Sequence, residues 1–234
     1  MFAKKTVWIA GVVSIIFQIA FAFADDPLPP PLPITLNAPS YRGNGCPQGT
    51  LSAILSPDQT SLSLLFDNYV TVAGGTSGNK IDAKSCNIMI PINVPSGYSI
   101  AIIKSDYRGF LNVPDGADCD MQVNFFFHGH AGNFKHERRW DDRDQRASRH
   151  NQDFFLSHEI RENLRSWSKC ENKQINLQVD SNLRVRTNRQ NEEVYASLDT
   201  IDMTASGIVY KIAMKKCPLP QRPPHRPPLG RERR

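Results

Sequence analysis

The sequence predicts an all-β domain, a sandwich or jelly-roll-like fold stapled by disulfides, and three observations carry that prediction. Apolar residues recur at every second position through most of the chain. Turn-forming residues cut those runs into short segments. Five cysteines follow a leader of the kind that directs export.

The alternation is clearest from Cys86 to Val94. Cys86, Ile88, Ile90, Ile92 and Val94 fall on one face of an extended chain, as a half-buried strand requires. Pro91 has no N–H for a ladder, so this strand is expected at an edge or at a bulge. Met121, Val123, Phe125 and Phe127 alternate likewise, as do Ile208, Tyr210, Ile212 and Met214. Further strands are expected over 50–55, 61–66, 69–73, 98–103, 175–179, 183–187 and 194–201. Pro57-Asp58, Gly74-Gly75, Ser96-Gly97 and Asp180-Ser181-Asn182 read as the turns between strands. Two stretches depart from the pattern. Residues 128–153 are polar and charged with no sustained period, and read as an insertion loop. Leu156, Ile160, Leu164 and Trp167 recur at helical spacing behind Ser157, a capping residue, and predict one short helix.

The ends set the boundaries. Lys4 and Lys5 precede an almost wholly apolar run over 6–23, and Ala22-Phe23-Ala24 supplies a small-x-small cleavage site. Residues 1–24 therefore read as a signal peptide, and the protein as secreted or periplasmic. The run is close to the ~18 residues of a membrane span, so membrane contact is expected only if the leader is retained. Residues 25–35 form a proline-rich linker, 36–217 the folded domain and 218–234 a disordered Pro/Arg-rich tail.

Charge narrows the partners. Of 28 basic residues, two lie in the leader and five beyond Cys217, so the segment between carries 21 basic against 22 acidic side chains, a net charge of −1. That count does not support a basic nucleic-acid-binding face on the domain, and no nucleic acid is expected as a partner. The basicity sits in Arg222, Arg226, Arg231, Arg233 and Arg234. Those side chains suit an anionic envelope or cell-surface polymer, and the alternative is a merely solubilising end.

Four groups of side chains are candidates for chemistry. Cys46, Cys86, Cys119, Cys170 and Cys217 allow at most two bridges within the chain, in fifteen arrangements among which spacing does not choose. Carboxylates flank Cys119 and disfavour its thiolate, so it reads as a buried free thiol or an intermolecular bridge rather than a nucleophile. His128 and His130 share a face of an extended chain, and with His136 they form a candidate metal site that His150, His158 or Asp141-Asp142 would complete. Six basic residues between Lys135 and Arg149 oppose a cation there. Asp67, Asp106, Tyr107 and Arg108 form a possible polar site, the alternative being a structural ion pair beside a turn glycine, Gly109. No Gly-x-Ser-x-Gly, His-Glu-x-x-His or P-loop pattern occurs, and no cofactor is expected.

Several motifs in order then point to a family. Gly45-Cys46-Pro47-x-Gly49-Thr50, Leu64-Leu65-Phe66-Asp67-x-Tyr69, Ser85-Cys86-Asn87, Asp106-Tyr107-Arg108-Gly109-Phe110 and Trp167-Ser168-x-Cys170 with Cys217 resemble the secreted DUF4360 family. The resemblance covers roughly 36–217. It implies export, a β-rich fold and the pairings Cys46–Cys86 and Cys170–Cys217, with Cys119 left over because it has no counterpart in the pattern. It implies no activity. The His- and Arg-rich segment after Phe127 and the Pro/Arg tail depart from the family pattern. The function expected is a non-enzymatic surface-binding or structural module, and the alternative is a metal-dependent hydrolase or metal-binding protein using the 128–150 segment.

Overall fold

The structure is a computed structural model, and it describes residues 34–129, 132–141, 150–170, 173–198 and 207–218. Two antiparallel sheets pack face to face. The first contains β1 (Thr35–Leu36), β2 (Ser40–Arg42), β6 (Ile81–Asn93), β8 (Asp118–Phe127), β9 (Phe134–Trp140) and β11 (Gln174–Arg186). Its order is β1-β6-β11-β8-β9, with β2 also on β6. The second contains β3 (Leu51–Leu55), β4 (Ser61–Phe66), β5 (Val70–Ala73), β7 (Tyr98–Val113), β10 (His150–Glu159), β12 (Val194–Ser197) and β13 (Ile208–Lys216). Its order is β3-β4-β13-β7-β12-β5, with β10 on the other side of β7.

The core lies where the inner faces meet, so the period-two pattern is the fold. Ile88, Ile90 and Ile92 of β6, Leu177, Val179 and Leu183 of β11, and Val123 and Phe125 of β8 are buried from one side. Leu62, Leu64, Ile100, Leu111 and Ile208 are buried from the other. Each such side chain contributes about 1.5–3 kcal/mol by leaving water.

Pro91 is accommodated by a gap. β6 pairs with β11 along its whole length on one side, while on the other β1 covers Ile92–Asn93 and β2 covers Asn87–Met89. Between those short strands the Pro91 carbonyl accepts the Asn37 N–H at 3.0 Å. The missing N–H faces the same side, where the chain is turning and no ladder bond is lost.

Three expectations are corrected. The helix over 156–167 is not formed: β10 runs to Glu159, and only Glu162–Leu164 makes a 3₁₀ turn. Phe154, Leu156 and His158 pair with Gly109, Tyr107 and Ser105, so an alternating inner row overrides a spacing that is also helical. The insertion loop is shorter than 128–153, because Phe134–Trp140 pairs with β8 and β10 begins at His150. The inner row of β9 is Phe134, His136, Arg138 and Trp140, too polar to register as alternation. Finally, Asp180-Ser181-Asn182 is no turn but the middle of β11. Ser181 points into the core, where its hydroxyl donates to the Cys86 carbonyl at 3.2 Å and accepts from the Tyr69 phenol at 3.1 Å.

The family motifs meet at two corners. Cys46 is bonded to Cys86, and Cys170 to Cys217. At the first corner Gly45 lies flat on Tyr69: a Cβ there would stand 2.4 Å from the ring. The Gly45 N–H donates to the Ser85 carbonyl at 2.9 Å, which delivers Cys46 to its partner. At the second, the Ser99 hydroxyl donates to the Ser168 carbonyl at 2.6 Å, and the Ile100 N–H donates to the Ser168 hydroxyl at 3.0 Å. The Lys215 ammonium stands 4.0 Å from the centre of the Trp167 ring, a cation–π contact beside the bridge.

Candidate functional site

The side chains that gather into an open site lie on the outer face of the six-stranded sheet. Outward residues of neighbouring strands form rows across it, because paired residues share a face. Asn87 on β6 and Asn124 on β8 both pair with Asp180 on β11. Asn87 Nδ2 donates to Asp180 Oδ1 at 2.9 Å, and Gln178 Nε2 donates to the same oxygen at 2.6 Å. Gln178 Oε1 lies 3.4 Å from His128 Nε2, and the His128 ring leans on Phe126 with centroids 5.4 Å apart. The carboxylate is thus clamped by two amides whose own orientations it fixes.

Beside this clamp is a groove of about 470 Å³, lined by Ser40, Arg42, Asn87, Met89, Gln178 and Asp180. A second groove, of about 510 Å³, lies towards β9 around Gln122 and Asn182. There the charges are taken up by each other: Arg139 bonds Asp120 at 3.1 Å and Asp141 at 2.8 Å, and Arg184 stands 3.8 Å from Asp120. Exposed pairs of this kind contribute little to stability, about 0–1 kcal/mol each.

The residues singled out in the sequence go elsewhere. His128 lies on the outer face, exposed, whereas His136 pairs with Val123 on the inner face. They cannot share an ion, and His130 lies outside the described residues, as do the tail arginines 222, 226, 231, 233 and 234. Among the described residues no three His, Cys, Asp or Glu side chains gather as a metal site. Asp106, Tyr107 and Arg108 alternate across β7 and do not converge. Asp106 pairs with Lys104 at 3.4 Å, Tyr107 is buried between the sheets, and Arg108 lies over the exposed Phe155 ring at 5.0 Å. Asp67 sits apart in the turn after β4, its N–H donating to the Thr50 carbonyl at 3.0 Å. Cys119 is wholly buried. Burial and then the Asp120 and Asp118 carboxylates push its thiol far up, so an intermolecular bridge would require the sandwich to open.

His136 has a structural consequence instead. Its ring stacks on Tyr107 at 4.7 Å between β9 and β7, with the His158 ring 5.7 Å away on β10. Burial, then His158, then Arg138 hold the imidazole below its usual 6.5. Burial likewise pushes the Tyr107 phenol up to about 12, with Asp106 adding to it. Because the folded imidazole takes a proton less readily than the unfolded one, this residue's contribution is intact above pH 6.5. It is lost as pH falls from there through the lowered folded value. Melting temperatures at pH 7.5 and pH 5 are therefore expected to differ less in His136→Phe, which keeps the stack without the titration, than in the unchanged protein. An equal acid loss in both would place the sensitivity elsewhere.

Sequence reasoning missed Asn87, Gln178, Asp180, Met89 and Arg42. The usable signal was the outward half of each alternating strand: Asn176, Gln178, Asp180 and Asn182 form a polar register opposite the apolar one. Treating Asp180 as a turn concealed it.

Two packed antiparallel sheets with two disulfides define a stapled β-sandwich of the secreted class. Residues 33–217 match the family model described as a domain of unknown function, DUF4360, and the chain belongs to that family. It is also 27% identical over 182 residues to a protein of Arthroderma benhamiae described as "Uncharacterized secreted protein", covering 78% of this chain and 71% of that one. The protein is accordingly a secreted one.

Proposed function

We propose that the protein is a secreted, non-catalytic module that binds an extracellular or envelope polymer through the outer face of its six-stranded sheet. The observation that carries this reading is the Asn87–Asp180–Gln178 clamp beside an open groove of about 470 Å³. That volume lies in the range of binding pockets, and the polar groups are held by one another rather than by a covering element. Among the described residues the groove contributes one carboxylate, whereas glycoside hydrolysis generally needs two. The tail arginines, Arg222, Arg226, Arg231, Arg233 and Arg234, supply a separate, charge-based contact to anionic polymer.

Co-sedimentation with cell-envelope fractions tests this. The full chain is expected to be retained at low and at high salt. Deleting 218–234 should remove only a salt-sensitive part, because screening weakens exposed charge contacts. Asp180→Asn should remove the salt-resistant part. Failure of the unchanged protein to sediment with any fraction would overturn the proposal.

A further inference from the structure

The chemistry of the groove selects among ligands, and this step rests on the surface-binding reading above. Asp180 Oδ1 already accepts from two amides, so Oδ2 is the oxygen left for a ligand. Asn87 Nδ2 and Gln178 Nε2 each spend one N–H on that carboxylate and keep a second. Gln178 Oε1 faces His128 Nε2 at 3.4 Å, which leaves the Asn87 carbonyl as the amide acceptor. The floor therefore offers acceptors in Asp180 Oδ2 and the Asn87 carbonyl and donors in the second amide N–H groups, and asks for a ligand whose groups both donate and accept. Arg42 on the rim balances Asp180, so the groove carries no net charge of its own. Met89, on the same floor, adds a polarizable apolar surface.

Three ligand classes fail against this set. A polyanion meets the Asp180 carboxylate, and a polycation meets Arg42. An apolar peptide segment would desolvate Asp180 Oδ2, the Asn87 carbonyl and the second amide N–H groups without giving them partners. A sugar ring meets every demand: its hydroxyls can donate to Asp180 Oδ2 and the Asn87 carbonyl and accept from the second amide N–H groups, and its C–H face can rest on Met89. Length follows from the strand. Asp180 and Asn182 are outward neighbours on β11, roughly 7 Å apart, and each lines one of the two grooves. A chain of sugars laid across β11 would engage both.

We propose that the outer face of the six-stranded sheet is a binding track for an uncharged polysaccharide, with Asn87, Gln178 and Asp180 receiving hydroxyls of one residue and Asn182 those of a later one. Affinity electrophoresis of the full chain tests it, with laminarin and hydroxyethylcellulose as uncharged polymers, polygalacturonate as an anionic one and polylysine as a cationic one. At least one uncharged polymer should slow the protein, unchanged in 0.3 M NaCl, and longer laminarin oligomers should compete at least tenfold better than glucose. Asp180→Asn and, separately, Asn87→Ala should each weaken the retardation about tenfold or more while the melting transition persists; with two variants, misfolding of one does not decide the outcome. Retardation by polygalacturonate or polylysine alone would overturn the ligand class. Retardation by a neutral polymer unaltered in both variants would overturn the site. Retention on envelope fractions without any response to uncharged polymers would reject this inference and leave the surface-binding reading standing. Absence of both would reject the two together.

Discussion

Replacing Cys46 and Cys86 together by alanine is expected to cost about 4 kcal/mol and to lower the melting temperature by roughly 8–16 °C. The chain-entropy part follows from the sequence separation of 40 between the partners. Cys170 and Cys217 are separated by 47 positions, so on entropy alone their removal should cost as much. The surroundings separate the two. Cys46 and Cys86 are both buried within the core beside Tyr69 and Ser181, whereas Cys170 is exposed. Removing the first pair also leaves a gap among packed side chains and frees the turn carrying Gly45 from the Tyr69 ring. The Cys46/Cys86 double variant should therefore melt below the Cys170/Cys217 double variant. Thermal unfolding of both measures the difference. Equal transitions would show that loop closure alone governs, and the reverse order would contradict the packing argument.

This corner explains how far the sequence was legible. Alternation of Ile88, Ile90 and Ile92 against Asn87, Met89 and Pro91 follows from burial on one face, and burial is written directly in residue type. The strands with clean apolar registers were therefore readable. β9 was not, because an edge strand whose inner row includes His136 and Arg138 carries no clean apolar row. Nor was the middle of β11. Asp, Ser and Asn in succession are turn formers when nothing else claims their side chains. Here Tyr69 claims Ser181 and Asn87 claims Asp180, from 112 and 93 residues away in sequence. The same long-range claim made the candidate site invisible. Its residues come from β2, β6 and β11, and no local spacing connects them. By contrast, the motifs that carry the family resemblance meet at the disulfide corners and along β7. They report how the sandwich closes and leave the outer face undescribed.

Gly109→Ala is expected to destabilise the fold by more than about 3 kcal/mol, and Gly109→Val further still. The sequence suggested a turn glycine, yet Gly109 lies within β7 between β12 and β10, and its φ is not positive. The constraint is therefore space alone. A Cβ would stand 1.9 Å from the Ser197 carbonyl oxygen and 2.8 Å from two carbons of the Phe154 ring. The ring can turn, but the carbonyl belongs to the backbone of β12 and cannot. Ser197 pairs with Phe110, the next residue of β7, so relieving the clash moves β12 off β7. Phe154 pairs with Gly109 from β10 and packs against Trp140 of β9 at 5.1 Å, so the seam between the two sheets loosens as well. Overpacking a well-ordered core typically costs about 1–3 kcal/mol, and a backbone obstacle places this site at or beyond the upper end. Denaturant unfolding measures the loss, and hydrogen exchange locates it. Protection should fall first at Val194–Ser197 and His150–Glu159, ahead of β6 and β11. A Gly109→Ala protein as stable as its parent, with β12 still protected, would show that the sheet yields at this point and that the close approach is not what requires glycine.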